Sequence, residues 1–123
     1  MKEIRLEFFL KTSPAVLFSR ISTASGLAEW FADHVKEDGK IFTFIWGHTE
    51  QKAEITAMIL NVSIRFRWLE MTPGYEFEFN IMQDELTGDV ALIVTDNIDD
   101  DEAEDTSKLW SSQVAKLKQT IGS

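Results

Sequence analysis

The chain has 123 residues, 44% of them hydrophobic, with nine Phe and four Trp, enough material for one core and one domain spanning residues 1–123. Twelve basic against twenty-one acidic residues leave a net charge of −9, which sets the surface against nucleic acid and anionic lipid headgroups. The lack of cysteine removes disulfides, thiolate nucleophiles and Cys-based metal centres, as expected of a cytoplasmic protein.

Met1 to Arg5 holds no uninterrupted apolar core, and no segment approaches the roughly 20 apolar residues of a membrane span. The chain therefore reads as soluble, unexported and without stable membrane insertion. Ile4, Leu6, Phe8 and Leu10 alternate with Glu3, Arg5 and Glu7, which predicts an opening strand with one buried face. Ser13-Pro14 then reads as a cap and first helical residue, and a short helix follows with Val16, Leu17, Phe18 and Ile21. Ser22-Thr23 breaks and recaps it. A second short helix carries Leu27, Trp30 and Phe31 on one side, despite the weakening effect of Gly26.

From here the pattern is that of strands. Asp38-Gly39 is a hairpin signal, and Ile41 to Trp46 is a strongly β-prone run. Lys52 to Leu60 is expected to place Ala53, Ile55, Ala57 and Ile59 on one face, with a bend or bulge at Asn61 before Val62, Ile64, Phe66 and Trp68. Thr72-Pro73-Gly74 marks a turn into Tyr75, Phe77, Phe79 and Ile81. Folding there sets Phe66 and Trp68 on the face of Phe77 and Phe79, and turns Arg65 and Arg67 towards Glu76 and Glu78. Leu86 to Asp89 turns again before Val90, Leu92 and Val94. The chain ends in an amphipathic helix whose stripe is Trp110, Val114, Leu117 and Ile121.

The order is strand, two helices, about six strands, helix. Together with Ser13-Pro14 and Leu17-Phe18, Thr23 to Trp30-Phe31, Phe66-Arg67-Trp68, and Trp110 with Leu117-Lys118, it resembles the START-like or SRPBCC superfamily, the helix-grip fold of the birch-pollen-allergen type. It is most similar to the branch near the activator-of-heat-shock-ATPase homologues. Ala24-Ser25-Gly26, where relatives often carry a Pro-Glu step, and the acidic run before the last helix depart from that pattern. The resemblance implies an α+β fold of order β-α-α-β6-α, with a curved antiparallel sheet around a long C-terminal helix and a cavity between them. Its members bind lipids, sterols, polyketides or hormones, a few catalyse reactions in the cavity, and some regulate a chaperone.

Trp30, Phe31, Phe44, Phe66, Trp68, Phe77, Phe79, Trp110 and Val114 are the candidate ligand contacts, with Trp46 among the same aromatic set. For any one of them core filling is the first reading. His34 and His48 read as surface or structural residues rather than metal ligands, since they lack Cys partners and a zinc spacing. The carboxylates Asp96, Asp99, Asp100, Asp101, Glu102, Glu104 and Asp105 lack the glycine and late glutamate of a calcium loop. They read as a solvated loop running into a helix N-terminus, with Asp105 or Thr106 as cap.

No Gly-x-Ser-x-Gly elbow or phosphate loop is present, and nothing singles out Tyr75 or a buried carboxylate as an acid or base. The expectation is a non-enzymatic domain, without cofactor or metal, that binds a small hydrophobic or amphipathic, lipid-like molecule between sheet and last helix. The alternative is a protein-interaction module resembling activators of a heat-shock chaperone ATPase, as a homodimer or with another protein. An enzyme is the third reading.

Overall fold

The computed structural model describes residues 1–70 and 74–123. Seven strands and three helices follow in the order β1 (Lys2–Leu10), α1 (Pro14–Ile21), α2 (Ala24–Leu27), β2 (His34–Asp38), β3 (Ile41–Trp46), β4 (Thr49–Ile59), β5 (Ser63–Trp68), β6 (Glu76–Gln83), β7 (Val90–Ile98) and α3 (Ala103–Thr120). All neighbours in the sheet are antiparallel, in the order β1-β7-β6-β5-β4-β3-β2. Six strands form a meander, and β1 returns to pair with β7 at the far edge. With α3 packed on the inner face, this is the α+β helix-grip architecture expected from the element order.

The local signals act as their chemistry dictates. Ser13 Oγ accepts the Val16 N–H at 3.2 Å and Pro14 takes the first helical position, while Thr23 Oγ1 accepts the Gly26 N–H at 3.0 Å. α2 is a single turn and Gly26 is its contact point with α1. A Cβ built there would stand 2.3 Å from the Ser19 carbonyl oxygen and 2.7 Å from the Arg20 Cα. Glycine here allows two backbones to approach, which compensates for its poor helix propensity.

The β5–β6 register is the expected one, with Phe66 opposite Phe77 and Arg65 opposite Glu78. Arg65 Nε reaches Glu78 at 2.8 Å and Glu76 at 3.6 Å. Arg67 instead pairs with Glu54 at 2.7 Å, because β5 lies between two strands and Glu54 is directly across from it in β4. Gly74, the last residue of the expected Thr72-Pro73-Gly74 turn, has φ 95°, and Thr72 and Pro73 lie outside the described residues.

Three expectations are corrected. α2 ends at Leu27, so Trp30 and Phe31, expected on that helix, lie in the connection to β2. The bend expected at Asn61 is present, but β4 is also irregular between Ile55 and Ala57, and the extra residue turns Ala57 and Ile59, expected on the face of Ala53 and Ile55, out to solvent. Asn61 takes φ 60° in the turn that follows, and Val62 is exposed with it. α3 starts at Ala103 after Glu102, with no side-chain cap bond, so Asp105 and Thr106 sit inside its first turns rather than capping it. Glu104 and Asp105 still place negative charge where the helix dipole favours it.

The core lies between the inner face of the sheet and the helices. Phe42, Phe44, Phe66, Phe77 and Phe79 are almost fully buried, and Trp110, Val114 and Leu117 close over them from α3. Among the described residues no helix is long and apolar enough to cross a membrane.

Candidate functional site

At the first half of α3 the helix does not close completely on the sheet. A cleft of about 510 Å³ opens there, bounded by α3, by the connection from α2 to β2, and by the ends of β3, β5 and β7. Trp30, Phe31, Trp46, Trp68 and Trp110 form its walls, and Gln51, Asp96 and Gln113 place polar groups among them. A larger concavity, about 610 Å³, lies on the outer face of the sheet among Glu3, Arg5, Arg65, Glu76 and Glu78. Arg65 is already paired with glutamates there, so that surface is a self-neutralising charged face.

The aromatic walls are held by one another and by hydrogen bonds. Phe31 stacks on Trp110 at 5.5 Å and 21°, and on Phe77 at 5.4 Å and 29°. Trp68 packs on Phe77 at 5.0 Å and leans against Trp46 at 6.5 Å. The Phe31 carbonyl accepts two bonds, from Trp46 Nε1 at 2.7 Å and Gln113 Nε2 at 2.9 Å. Both lone pairs of one oxygen are thereby used to join the α2–β2 connection to β3 and to α3. Trp30 Nε1 donates to the Arg20 carbonyl at 2.8 Å, and the Asp33 carboxylate accepts the Gly47 N–H at 2.8 Å.

Asp96 is the charged residue set deepest in this arrangement. It faces inward from β7 between Ile4 of β1 and Phe77 of β6, and its Oδ2 accepts the Trp110 indole N–H at 2.8 Å. Burial pushes its carboxyl up to about 6, against the opposing pull of the Trp110 and Asn97 N–H groups.

Of the residues expected to meet a ligand, Trp30, Phe31, Trp68 and Trp110 line the cleft. Phe44, Phe66, Phe77, Phe79 and Val114 lie beneath it, each at most 1% exposed. Asp96 does not belong with the solvated acidic run: it sits on a strand, whereas Asp99 to Asp101 are exposed. Its position was legible in the alternation Val90, Leu92, Val94, Asp96, Ile98, whose parity puts it on the inner face. Gln113, one residue before Val114 on the flank of the helical stripe, carried no comparable signal. Tyr75 lies outside the cleft lining, with its hydroxyl donating to Asp99, a bond that pushes its pKa up. His34 and His48 are both exposed.

The sequence matches the family described as START-like superfamily domain over residues 1–123. No curated protein matches it. Among solved structures it is similar to a Bacteroides fragilis protein determined by solution NMR, with 44% identity, 98% of this chain and 90% of that chain covered, and a TM-score of 0.67. It is also similar to the Aha1 dimer from Colwellia psychrerythraea, with 19% identity, 96% and 94% covered and a TM-score of 0.81. A Bacillus halodurans protein matches at 20% identity, with 97% and 96% covered and a TM-score of 0.74. The last two likenesses concern the fold alone.

Proposed function

The chain belongs to the START-like superfamily, and from that premise we propose that it is a single-domain, cytoplasmic binding protein for a small apolar or amphipathic molecule. The ligand sits in the cleft under α3 and is not chemically changed there. The observation that carries this reading is the cleft itself: about 510 Å³, walled by Trp and Phe, with a few polar groups at fixed positions. Apolar contact with those rings supplies affinity, and Asp96, Gln51 and Gln113 supply orientation.

A second reading, a protein-interaction module, is favoured by the β4–β5 hairpin tip. Met58, Ile59, Leu60 and Val62 are 56%, 59%, 76% and 43% exposed there, a cluster of apolar side chains away from the cleft. On that reading the tip meets a second copy or another protein.

Native mass spectrometry of freshly purified protein, followed by denaturing extraction, separates the two. A co-purified small molecule released on unfolding supports the binding protein. A ligand-free chain that forms dimers or a complex, and fails to take up amphiphiles, supports the interaction module.

A further inference from the structure

Asp96 is a carboxylate without a counter-ion. Among the described residues, the salt bridges within 4.0 Å involve other acids, and no Lys or Arg nitrogen reaches Asp96. Its strand neighbours are Ile4 and Phe77, so both flanks on the sheet are apolar. An acid half-withdrawn from water between apolar neighbours gains from a positive group placed beside it. The Trp110 N–H supplies one hydrogen bond but no charge.

The surroundings suit such a positive group. The indoles of Trp46, Trp68 and Trp110 line the cleft, and aromatic rings attract cations, most strongly when water is excluded. The other ionisable groups lining the cleft are Asp33 and Lys116, of opposite sign, so the cleft as a whole remains negative. The chain's net charge of −9 adds a field that draws cations and repels anions.

Resting on the ligand-binding reading above, we propose that the cleft takes an apolar molecule carrying a protonated amine, with its ammonium group against the Asp96 carboxylate and its apolar part along the indoles. The same geometry discriminates against fatty-acid-like anions, whose carboxylate would meet Asp96 in a poorly solvated site.

A matched series tests it: decylamine, decanol and decanoate, each below its aggregation concentration, titrated into the full chain by calorimetry at about pH 7.5, where an alkylamine is protonated. Decylamine is expected to bind at least about tenfold more tightly than decanol, and decanoate more weakly than either. Asp96→Asn should remove the preference for the amine, bringing the decylamine affinity to within about threefold of the decanol affinity of the same variant. The unsubstituted chain gives an independent readout: near pH 5 Asp96 is mostly protonated, and the amine should lose about tenfold in affinity while decanol does not. Asp33 and Lys116 face the same cleft, and the Asn variant reports any part of the pH effect that belongs to them.

Decanol or decanoate binding as tightly as decylamine overturns the charge assignment and leaves the binding reading standing. So does an amine preference that survives in Asp96→Asn, which would place the attraction on the acidic surface. Failure of all three probes to bind overturns both.

Discussion

Trp110 and Asp96 are bound to each other across the seam between α3 and β7, the indole Nε1 donating to Oδ2 at 2.8 Å. The same indole stacks on Phe31 and meets Phe79 edge-on at 5.7 Å. One side chain thus joins the helix to the core, walls the cleft and holds the half-buried carboxylate in place.

That carboxylate makes stability depend on pH in an unusual direction. Its pKa in the folded chain is about 6, above the roughly 3.9 of an unfolded aspartate. Between those values the folded state holds more protons than the unfolded state, so the contribution of Asp96 becomes less favourable as pH rises and is constant above the folded pKa. Asp96→Asn is therefore expected to stabilise the chain by on the order of 2 kcal/mol at neutral pH, and the gain should vanish below about pH 4. Urea unfolding of both proteins across this range checks it, and a gain that does not shrink on acidification would remove the electrostatic explanation.

Trp110→Phe keeps the ring and deletes the donor. Since the indole N–H favours the ionised carboxylate, its loss should move the Asp96 titration upward from about 6, as followed by carbon-13 NMR of the side-chain carboxyl. The cost in stability should be about 1–2 kcal/mol, from a lost hydrogen bond to a charged group and a smaller ring. An unmoved titration would mean that Asp96 keeps its environment without Trp110.

Trp68 and Phe44 should part company on substitution. Trp68 is half-buried at the mouth of the cleft, and Phe44 is fully buried beneath it. Trp68→Leu should weaken decanol binding by at least about fivefold while costing ~1 kcal/mol in stability, whereas Phe44→Ala should cost about 3–5 kcal/mol. Calorimetric titration beside thermal unfolding separates the two, and equal loss of folding in both would make Trp68 a core residue.

Gly26→Ala places a methyl group against the Ser19 carbonyl and the Arg20 backbone. The higher helix propensity of alanine does not offset that clash, and a loss of about 1–3 kcal/mol is expected, with decanol affinity unchanged because the site lies away from the cleft. A variant of equal or greater thermal stability would show that α1 and α2 separate freely.

Much of this structure follows from local rules. Alternation of Ile4, Leu6, Phe8 and Leu10 set the buried face of β1, Ser13 and Thr23 capped their helices, and opposed charges on β5 and β6 agreed with the Phe66–Phe77 register. These signals are legible because they act between residues a few positions apart, or across one hairpin, where side-chain period and cap chemistry leave little choice. The element order was sufficient to mark the helix-grip fold.

The cleft was beyond such rules. Whether Phe31 or Phe44 borders the cleft depends on how far α3 stands from the sheet, and that distance is set by side chains remote in sequence: Gln113 and Trp46 meeting on one carbonyl, Trp110 meeting Asp96. The β4 irregularity, which turned Ala57 and Ile59 outward, is likewise a property of strand pairing and not of the run itself. Asp96 shows the division most clearly. Residue parity along β7 put it on the inner face, but only the packing of Ile4, Phe77 and Trp110 around it half-withdrew it from water and shifted its pKa, because desolvation is the joint effect of neighbours brought together from three separate elements.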